Sequence, residues 1–335
     1  MPSVAFVING TLVRDPRRFL CRCRAAAREA GWEPVFAETS PADAGLSLTR
    51  RAVAAGASLV FAAGGDGTVR ACAQALAGTG IPLAIVPLGT ANLTARALGI
   101  PARAGQAIDV GFRGRDRVID LAVADLGGAD LGGASAAGAG LAGAGAGLAG
   151  AGLGGAGPGG GITFAAMAGI GLDAAVVGAA RSPDKRRLGW VAYALSGLAH
   201  LRMPAADFAV RLDGGEPLRR RARCVVVGNV GLLPGGFALL PEARLDDGRL
   251  DVGILAPAGV LGWPRTAARV LTRSRRTDRT LERFQARRVE IAATAGLPRQ
   301  VDGEIVAAGR TLTVSVCPGA LTVRQPGTGP EGTRR

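Results

Sequence analysis

At 335 residues the chain is long enough for two domains, each with a sizeable core. Hydrophobic residues make up 48% and charged residues 20%, which excludes a disordered chain, and aromatics at 4% are too few for a platform that stacks single-stranded nucleic acid. The net charge of +14 is almost wholly arginine, since Lys185 is the sole lysine, and it suits polyanions: nucleotide phosphates, an anionic membrane surface or, on charge alone, nucleic acid. Residues 3–8 are an apolar run and read as a first strand ending at Asn9-Gly10. Asp15-Pro16 opens a helix, with Asp as N-cap and Pro in the first turn, and Gly31 stops it. Residues 32–37 read as a second strand, Glu38-Thr39-Ser40-Pro41 as a loop, and a helix follows to about residue 55. A third strand covers 57–61 and runs into Ala62-Ala63-Gly64-Gly65-Asp66-Gly67-Thr68. The next helix spans 69–77, with Gly78 as its stop. Residues 81–86 are a fourth strand. It ends in Pro87-Leu88-Gly89-Thr90-Ala91-Asn92, which opens a helix through Leu98 closed by Gly99 and Pro101.

Strands alternating with helices predict a parallel sheet with helices on both faces, and such sheets bind ligands beyond the carboxyl ends of their strands. Four polar or glycine-rich loops fall there: Asn9-Gly10, Thr39-Ser40, 64–68 and 87–92. At 64–68 the glycines allow a tight strand-to-helix turn that leaves backbone N–H groups open to phosphate oxygens. Asp66 would repel a bare phosphate. It fits there if a Mg²⁺ lies between, or if it takes a proton from an attacking hydroxyl; a turn with an Asp cap is the plainer reading. Arg70 and Arg96, near the two phosphate-facing loops, are candidates for charge stabilisation, against ordinary helix surface.

Past residue 117 the pattern changes. Strand-like stretches at 117–123, 161–167, 207–212, 223–227, 250–255, 288–292 and 311–316 predict an antiparallel β domain, interrupted by helices near 188–201 and 260–272. Residues 131–172 carry no charge and are rich in Gly and Ala; they read as a flexible insertion between two strands (near 127–160), not as a membrane span. The expected division is a nucleotide domain at 1–117, a β-rich domain at 118–324 and a disordered tail at 325–335. Arginine clusters at 219–223 and 273–276 read as solvated faces or a membrane-facing surface. The five cysteines have no framework spacing and read as reduced thiols of a cytoplasmic protein, and no signal peptide is apparent. His200 is the single histidine, so no His/Cys metal cluster can be built.

Taken together, Gly64-Gly65-Asp66-Gly67-Thr68, Pro87-Leu88-Gly89-Thr90-Ala91-Asn92 and Gly169-Ile170-Gly171-Leu172-Asp173-Ala174 resemble the diacylglycerol kinase catalytic family, closest to its bacterial soluble lipid kinases, which are related to sphingosine and ceramide kinases. The resemblance extends to Lys185-Arg186-Arg187-Leu188-Gly189, to Pro234-Gly235-Gly236, to Pro241 through Leu245-Asp246-Asp247-Gly248-Arg249-Leu250-Asp251, and to Val301-Asp302-Gly303-Glu304. It implies an α/β nucleotide-binding domain like that of NAD kinases and diacylglycerol kinases, plus a mainly antiparallel β-sandwich-like second domain, with ATP and Mg²⁺ as cofactors and a lipid alcohol as acceptor. By position, it implies that Asn9, Thr39, Gly64, Gly65, Asp66, Gly67, Thr68, Val69, Arg70, Thr90 and Asn92 contact ATP. Glu304 would accept the proton, with Asp66 and Asp120 as carboxylates near the phosphates. A structural Mg²⁺ would take the Asp247 carboxylate and the carbonyls of Arg244 and Arg249. The expected function is an ATP- and Mg-dependent lipid kinase, cytoplasmic, in peripheral contact with an anionic membrane and without a nucleic-acid partner, with a homodimer as a possible assembly. One residue departs from the pattern. Many relatives carry Asp immediately after the Asn of the second motif, where this chain has Leu93. The alternatives are therefore an NAD kinase-like enzyme, which shares the first motif, and a non-catalytic nucleotide- or lipid-binding homologue.

Overall fold

The computed structural model describes residues 1–127, 161–171, 204–233, 237–257, 268, 272 and 278–327. Its first half alternates as expected: β1 (Ser3–Ile8), α1 (Pro16–Glu29), β2 (Glu33–Glu38), α2 (Leu46–Ala54), β3 (Ala57–Gly64), α3 (Asp66–Leu76), β4 (Leu83–Pro87), α4 (Leu93–Ala97) and α5 (Ala104–Arg113). The strands β2, β1, β3 and β4 lie side by side and parallel. Local chemistry sets the helix ends. The Asp15 carboxylate accepts from the Arg18 N–H at 3.0 Å, Pro16 stands in the first turn of α1, and Gly31 turns the chain away with φ +78°. Phe6 and Phe61 stack at 4.5 Å in the core, and the Phe112 ring of α5 closes on Phe61 at 4.9 Å. Burial of each such ring contributes about 2–3 kcal/mol. A Cβ on Gly111 would stand 2.2 Å from the Phe61 ring, so α5 seats on the sheet through a missing side chain. Gly105, Ala107, Ile108 and Gly111 form the buried face of that helix.

The second half is antiparallel: β5 (Arg115–Asp125), β6 (Ile162–Phe164), β7 (Met167–Gly171), β8 (Ala206–Leu212), β9 (Leu218–Ala222), β10 (Cys224–Gly228), β11 (Leu250–Leu255), β12 (Leu281–Ala286), β13 (Arg288–Val301) and β14 (Glu304–Gln325). The sheet path runs β12-β11-β10-β7-β13-β14-β4-β3-β1-β2, with β5 and β6 added beside β14, and β8 and β9 beside β13. The fold is thus an α/β unit joined to a mainly antiparallel β unit. The join is β14, whose first part pairs with β13, whose later part pairs with β5, and whose Val323 reaches Leu83 of β4. β5 itself runs across residues 117 and 118.

Several expectations need correction. The single strand at 161–167 is two strands, β6 and β7, because the Asp302 carboxylate takes the N–H groups of Ala165, Ala166 and Met167 and turns the chain between them. The strand expected at 311–316 is the centre of the 22-residue β14. Gly309, Arg310 and Pro318-Gly319 break its pattern in the sequence, but three neighbouring strands supply it with partners along its length. β13 likewise runs to Val301 rather than stopping at 292. The arginine run at 219–221 forms β9, and β12 was not anticipated. Gln325, expected to head the tail, closes β14 opposite Arg115. The inserted Gly/Ala segment beyond Gly127 lies outside the described residues, as do most of the tail and of the helices expected near 188–201 and 260–272. The same is true of Leu172 to Ala174, Lys185 to Gly189, His200, Pro234-Gly235-Gly236 and the 273–276 cluster. None of the five cysteines forms a disulfide; burial pushes the Cys23 and Cys72 thiols up to about 12, which makes them inert packing groups.

Candidate active site

The parallel register brings four strand ends to one edge. Ile8 stands opposite both Glu38 and Ala63, and Gly64 opposite Pro87. Just past these ends the Asn9 N–H donates to the Ala63 carbonyl at 2.8 Å, the Thr39 N–H to the Ile8 carbonyl at 2.9 Å, and the Leu88 N–H to the Gly64 carbonyl at 2.8 Å. Asn9, Thr39, the 64–68 turn and the 88–92 loop are therefore gathered along one rim, as the alternation required. Thr90 is exposed there.

The glycine turn is a folded-back helix start. Thr68 packs over Gly64 so closely that a Cβ on Gly64 would lie 2.5 Å from the Thr68 hydroxyl oxygen. Thr68, Val69 and Arg70 are buried, which leaves Gly65, Asp66 and Gly67 as the partly open part of the turn, with the N-terminal N–H groups of α3 beneath. Asp66 locks this turn to the second loop. One carboxylate oxygen accepts from the Asn92 N–H at 2.9 Å and the other from the Leu93 N–H at 2.7 Å. Asn92 sits at φ +47°, and its amide both accepts from the Gly89 N–H at 3.1 Å and donates to the Gly89 carbonyl at 2.6 Å. Gly65 and Gly89 touch backbone to backbone; a Cβ on Gly89 would stand 2.7 Å from the Gly65 Cα. Leu93, where many relatives carry Asp, is buried in the core.

Glu304 arrives at this turn from the far end of the chain. Asp302 and Gly303, at φ +46° and +75°, make the two-residue hairpin turn between β13 and β14, and Glu304 follows it. Both readings of Asp-Gly-Glu hold together: the turn aims the carboxylate. Glu304 Oε2 meets Arg70 Nη2 at 2.5 Å, with the arginine side chain 3% exposed and the glutamate 25%. Glu304 Oε1 lies over Gly67, 2.9 Å from where a Cβ would be, and has no hydrogen-bond partner among the described residues. Arg70 thus grips Glu304 rather than reaching outward to a phosphate.

Asp302 is the residue that sequence reasoning passed over. It is buried, its Oδ1 accepts from the Ala166 and Met167 N–H groups at 2.9 Å each, and its Oδ2 accepts from Ala165 at 3.1 Å. Burial pushes its carboxyl up to about 6, against the pull of those N–H groups and of Arg70. Its only signal in the sequence was its place one residue before the Gly of a turn that carries a carboxylate. From the same Ala165 turn the Asn229 amide reaches the Asp120 carbonyl at 2.7 Å. Asp120 is not drawn to the glycine turn: its carboxylate accepts from Gly248 at 2.7 Å and Gly319 at 2.8 Å, and its N–H donates to the Leu245 carbonyl at 2.6 Å. It clamps the Asp246-Asp247-Gly248 turn to β5 and β14.

On that turn Arg244, Asp247 and Arg249 are exposed, and Asp247 accepts from the Arg249 N–H at 3.0 Å. Behind it burial raises the Asp251 carboxyl to about 6, and the nearby charges of Asp247 and Glu242 push the same way; Asp251 Oδ2 is buried without a hydrogen bond. Asp247 is an exposed carboxylate that the turn offers to a cation, but among the described residues no group of three or more His, Cys, Asp or Glu side chains is placed to hold a metal ion.

Residues 4–124 match the diacylglycerol kinase catalytic domain, and 166–325 match the YegS C-terminal NAD kinase beta sandwich-like domain. The chain is 34% identical over 317 residues to a "Probable lipid kinase YegS-like" protein of Pseudomonas aeruginosa, covering 91% of this chain and 89% of that one. It is 32% identical over 304 residues to the protein of the same name from Pseudomonas fluorescens, covering 90% and 88%. A crystal structure of a diacylglycerol kinase from Bacillus anthracis shares the fold, with a TM-score of 0.70 at 20% identity over 99% of this chain and 98% of that one. The chain therefore belongs to the diacylglycerol kinase catalytic-domain family, in its YegS-like branch.

Proposed function

We propose that this protein is a lipid kinase that moves the γ-phosphate of ATP to the hydroxyl of a lipid alcohol. The observation that carries the reading is the Glu304 oxygen that has no hydrogen-bond partner among the described residues and lies over Gly67, while its twin is held by buried Arg70. Phosphoryl transfer asks mainly for positioning and charge stabilisation. The α3 N-terminus and the backbone of the 64–67 turn hold the phosphate oxygens, and the Asp66 lock keeps the 88–92 loop beside them. Glu304 Oε1 takes the proton of the lipid hydroxyl. The hydroxyl oxygen then bonds to the γ-phosphorus as the bond to the β-phosphate oxygen breaks, and ADP leaves. Bound at the 244–249 turn through Asp247 and the carbonyls of Arg244 and Arg249, Mg²⁺ would supply a structural cross-link, which Asp120 passes on to the sheet. The acceptor is diacylglycerol-like or sphingoid-like, taken from a bilayer by a protein working at its cytoplasmic surface. Among the described residues no helix is long and apolar enough to cross a membrane.

The test is transfer of labelled γ-phosphate from ATP and Mg²⁺ into vesicles carrying diacylglycerol or a sphingoid base, with NAD as a parallel acceptor and Asp66→Asn as the control. Label in a lipid, lost in the variant, supports the reading. Label in NAD alone replaces it with an NAD kinase, and ATP binding without any label replaces it with a binding protein.

A further inference from the structure

The outer face of the β unit carries a recess of about 600 Å³ that has no part in the site above. Its floor follows from the register. Ala209 of β8 stands opposite Ala292 of β13, and Ala292 opposite Thr311 of β14, so one row across three strands shows only small side chains. Side chains of the other parity, Phe208 and Ala293, are buried in the core beneath. The rim is arginine. Arg219 of β9 stands opposite Ala209, Arg221 is two residues along on the same face, and Arg310 closes the far side. All three are exposed, and none makes an ion pair among the described residues.

The neighbouring arginines show that this is not mere abundance. Arg220, which also lines the recess, is paired with Glu282 at 2.7 Å, and Arg211 with Glu290 at 3.7 Å. Within the recess the single carboxylate is Asp207. A further guanidinium is tied to the floor strand. Arg299 is buried, makes no ion pair among the described residues, and donates to the carbonyls of Ala307 (2.8 Å), Leu126 (2.7 Å) and the floor residue Thr311 (2.6 Å). A cation fixed in a poorly screened interior adds to the positive potential at the floor. Small side chains on the floor, three exposed guanidiniums outside any ion pair among the described residues, and one carboxylate, Asp207 opposite Arg221, leave the recess with a positive balance that suits a phosphate group.

We propose that this recess docks the protein on a bilayer by taking the phosphate headgroup of an anionic phospholipid. The proposal rests on the lipid-kinase reading for its choice of a bilayer over a soluble phosphate. The β13–β14 hairpin gives the docking its use. It holds Glu304 at its turn and Arg310 six residues further on, about 20 Å away at about 3.3 Å per residue. A headgroup in the recess sets the distance and tilt of the Glu304 rim relative to the lipid surface.

The experiment is co-sedimentation of the full chain with vesicles of phosphatidylcholine alone or mixed with phosphatidylglycerol, at physiological salt. The chain is compared with the triple variant Arg219→Ser, Arg221→Ser, Arg310→Ser, and with a charge-matched control, Arg17→Ser, Arg50→Ser, Arg51→Ser, which removes exposed arginines of the α/β unit. Circular dichroism confirms that each is folded, and Arg310→Glu alone serves as the milder variant. The proposal expects binding to the anionic vesicles only. It expects a loss of about 100-fold in the recess variant, roughly fivefold per arginine, and little change in the control. Equal loss in both triples would reduce the effect to net charge and overturn the recess. So would wild-type binding by the recess variants. Displacement of the protein from vesicles by millimolar glycerol phosphate would assign the seat to a soluble phosphate instead. Because binding is read without any transfer, a failed recess and a failed kinase assay are told apart.

Discussion

The 64–68 turn and the 245–248 turn are built alike and finish differently. In each, a carboxylate locks a glycine-containing turn through two backbone N–H groups: Asp66 by Asn92 and Leu93, Asp120 by Gly248 and Gly319. In each, a second carboxylate stands over the locked turn, Glu304 in one and Asp247 in the other. Glu304 is delivered by a strand from 234 residues away and held by an arginine that is itself buried, so one of its oxygens has a fixed place. Asp247 is exposed and bonds only to its own turn, beside other carboxylates. A fixed single oxygen suits proton transfer to one atom; an exposed carboxylate on a turn suits a cation only where backbone carbonyls and water complete its ligands. The Ala165–Met167 turn links the two regions, with Asp302 on one side and Asn229 on the other.

That difference can be broken from either side. Short of removing the Glu304 carboxylate itself, the largest effect is expected from Gly89→Ala, whose Cβ would press on the Gly65 backbone and part the two loops that Asp66 joins. A shift of about 1 Å there should lower turnover about 100-fold with the fold intact, read as labelled-phosphate transfer alongside the melting temperature. Next comes Arg70→Met, which frees Glu304 while filling the buried space. Transfer should fall about tenfold, mainly in kcat, because Glu304 would remain present but unaimed. On the other turn, Asp120→Ala leaves the Gly248 and Gly319 N–H groups without an acceptor. It should cost about 1–3 kcal/mol per group left unpaired, seen in denaturant unfolding, and should weaken any protection by Mg²⁺ against heat.

The smallest effect is a change of slope with pH. Asp302 titrates at about 6 when folded, against about 4 unfolded. Between those values the folded chain holds a proton that the unfolded chain has lost. Its contribution therefore weakens stability as pH rises through that window, opposite to a salt-bridged carboxylate. Asp251 has the same sign. Asp302→Asn should remove part of this fall, measured as the difference between the two stability curves from pH 4 to 7.

The parallel half was legible because its signals are local: apolar runs, an Asp-Pro helix start and glycines at each strand end lie within a few residues of what they shape. The rim of Asn9, Thr39, Gly64 and Asn92 followed from alternation alone. What stayed hidden was long-range. Asp302 acts on residues about 135 positions away, and nothing in the Asp-Gly pair announces that a buried carboxylate will split one expected strand into β6 and β7. Arg70 looked like a phosphate contact because the strand that covers it arrives only at Glu304. β14 was read at a quarter of its length because Gly309 and Pro318-Gly319 look like breaks, whereas in the sheet they are bulges bridged by neighbours on both sides.

In the proposed transfer the decisive atom is Glu304 Oε1, which has no hydrogen-bond partner among the described residues. The most direct test is the rate of lipid phosphorylation by Glu304→Gln at saturating ATP, with nucleotide affinity measured on the same sample. The amide keeps a hydrogen-bonding oxygen for Arg70 but cannot take the proton. The rate should fall by about 10²–10⁴-fold while ATP binds within about twofold of the wild-type affinity. A variant that transfers phosphate at the wild-type rate would contradict the role assigned to Glu304, and with it the reading of the site.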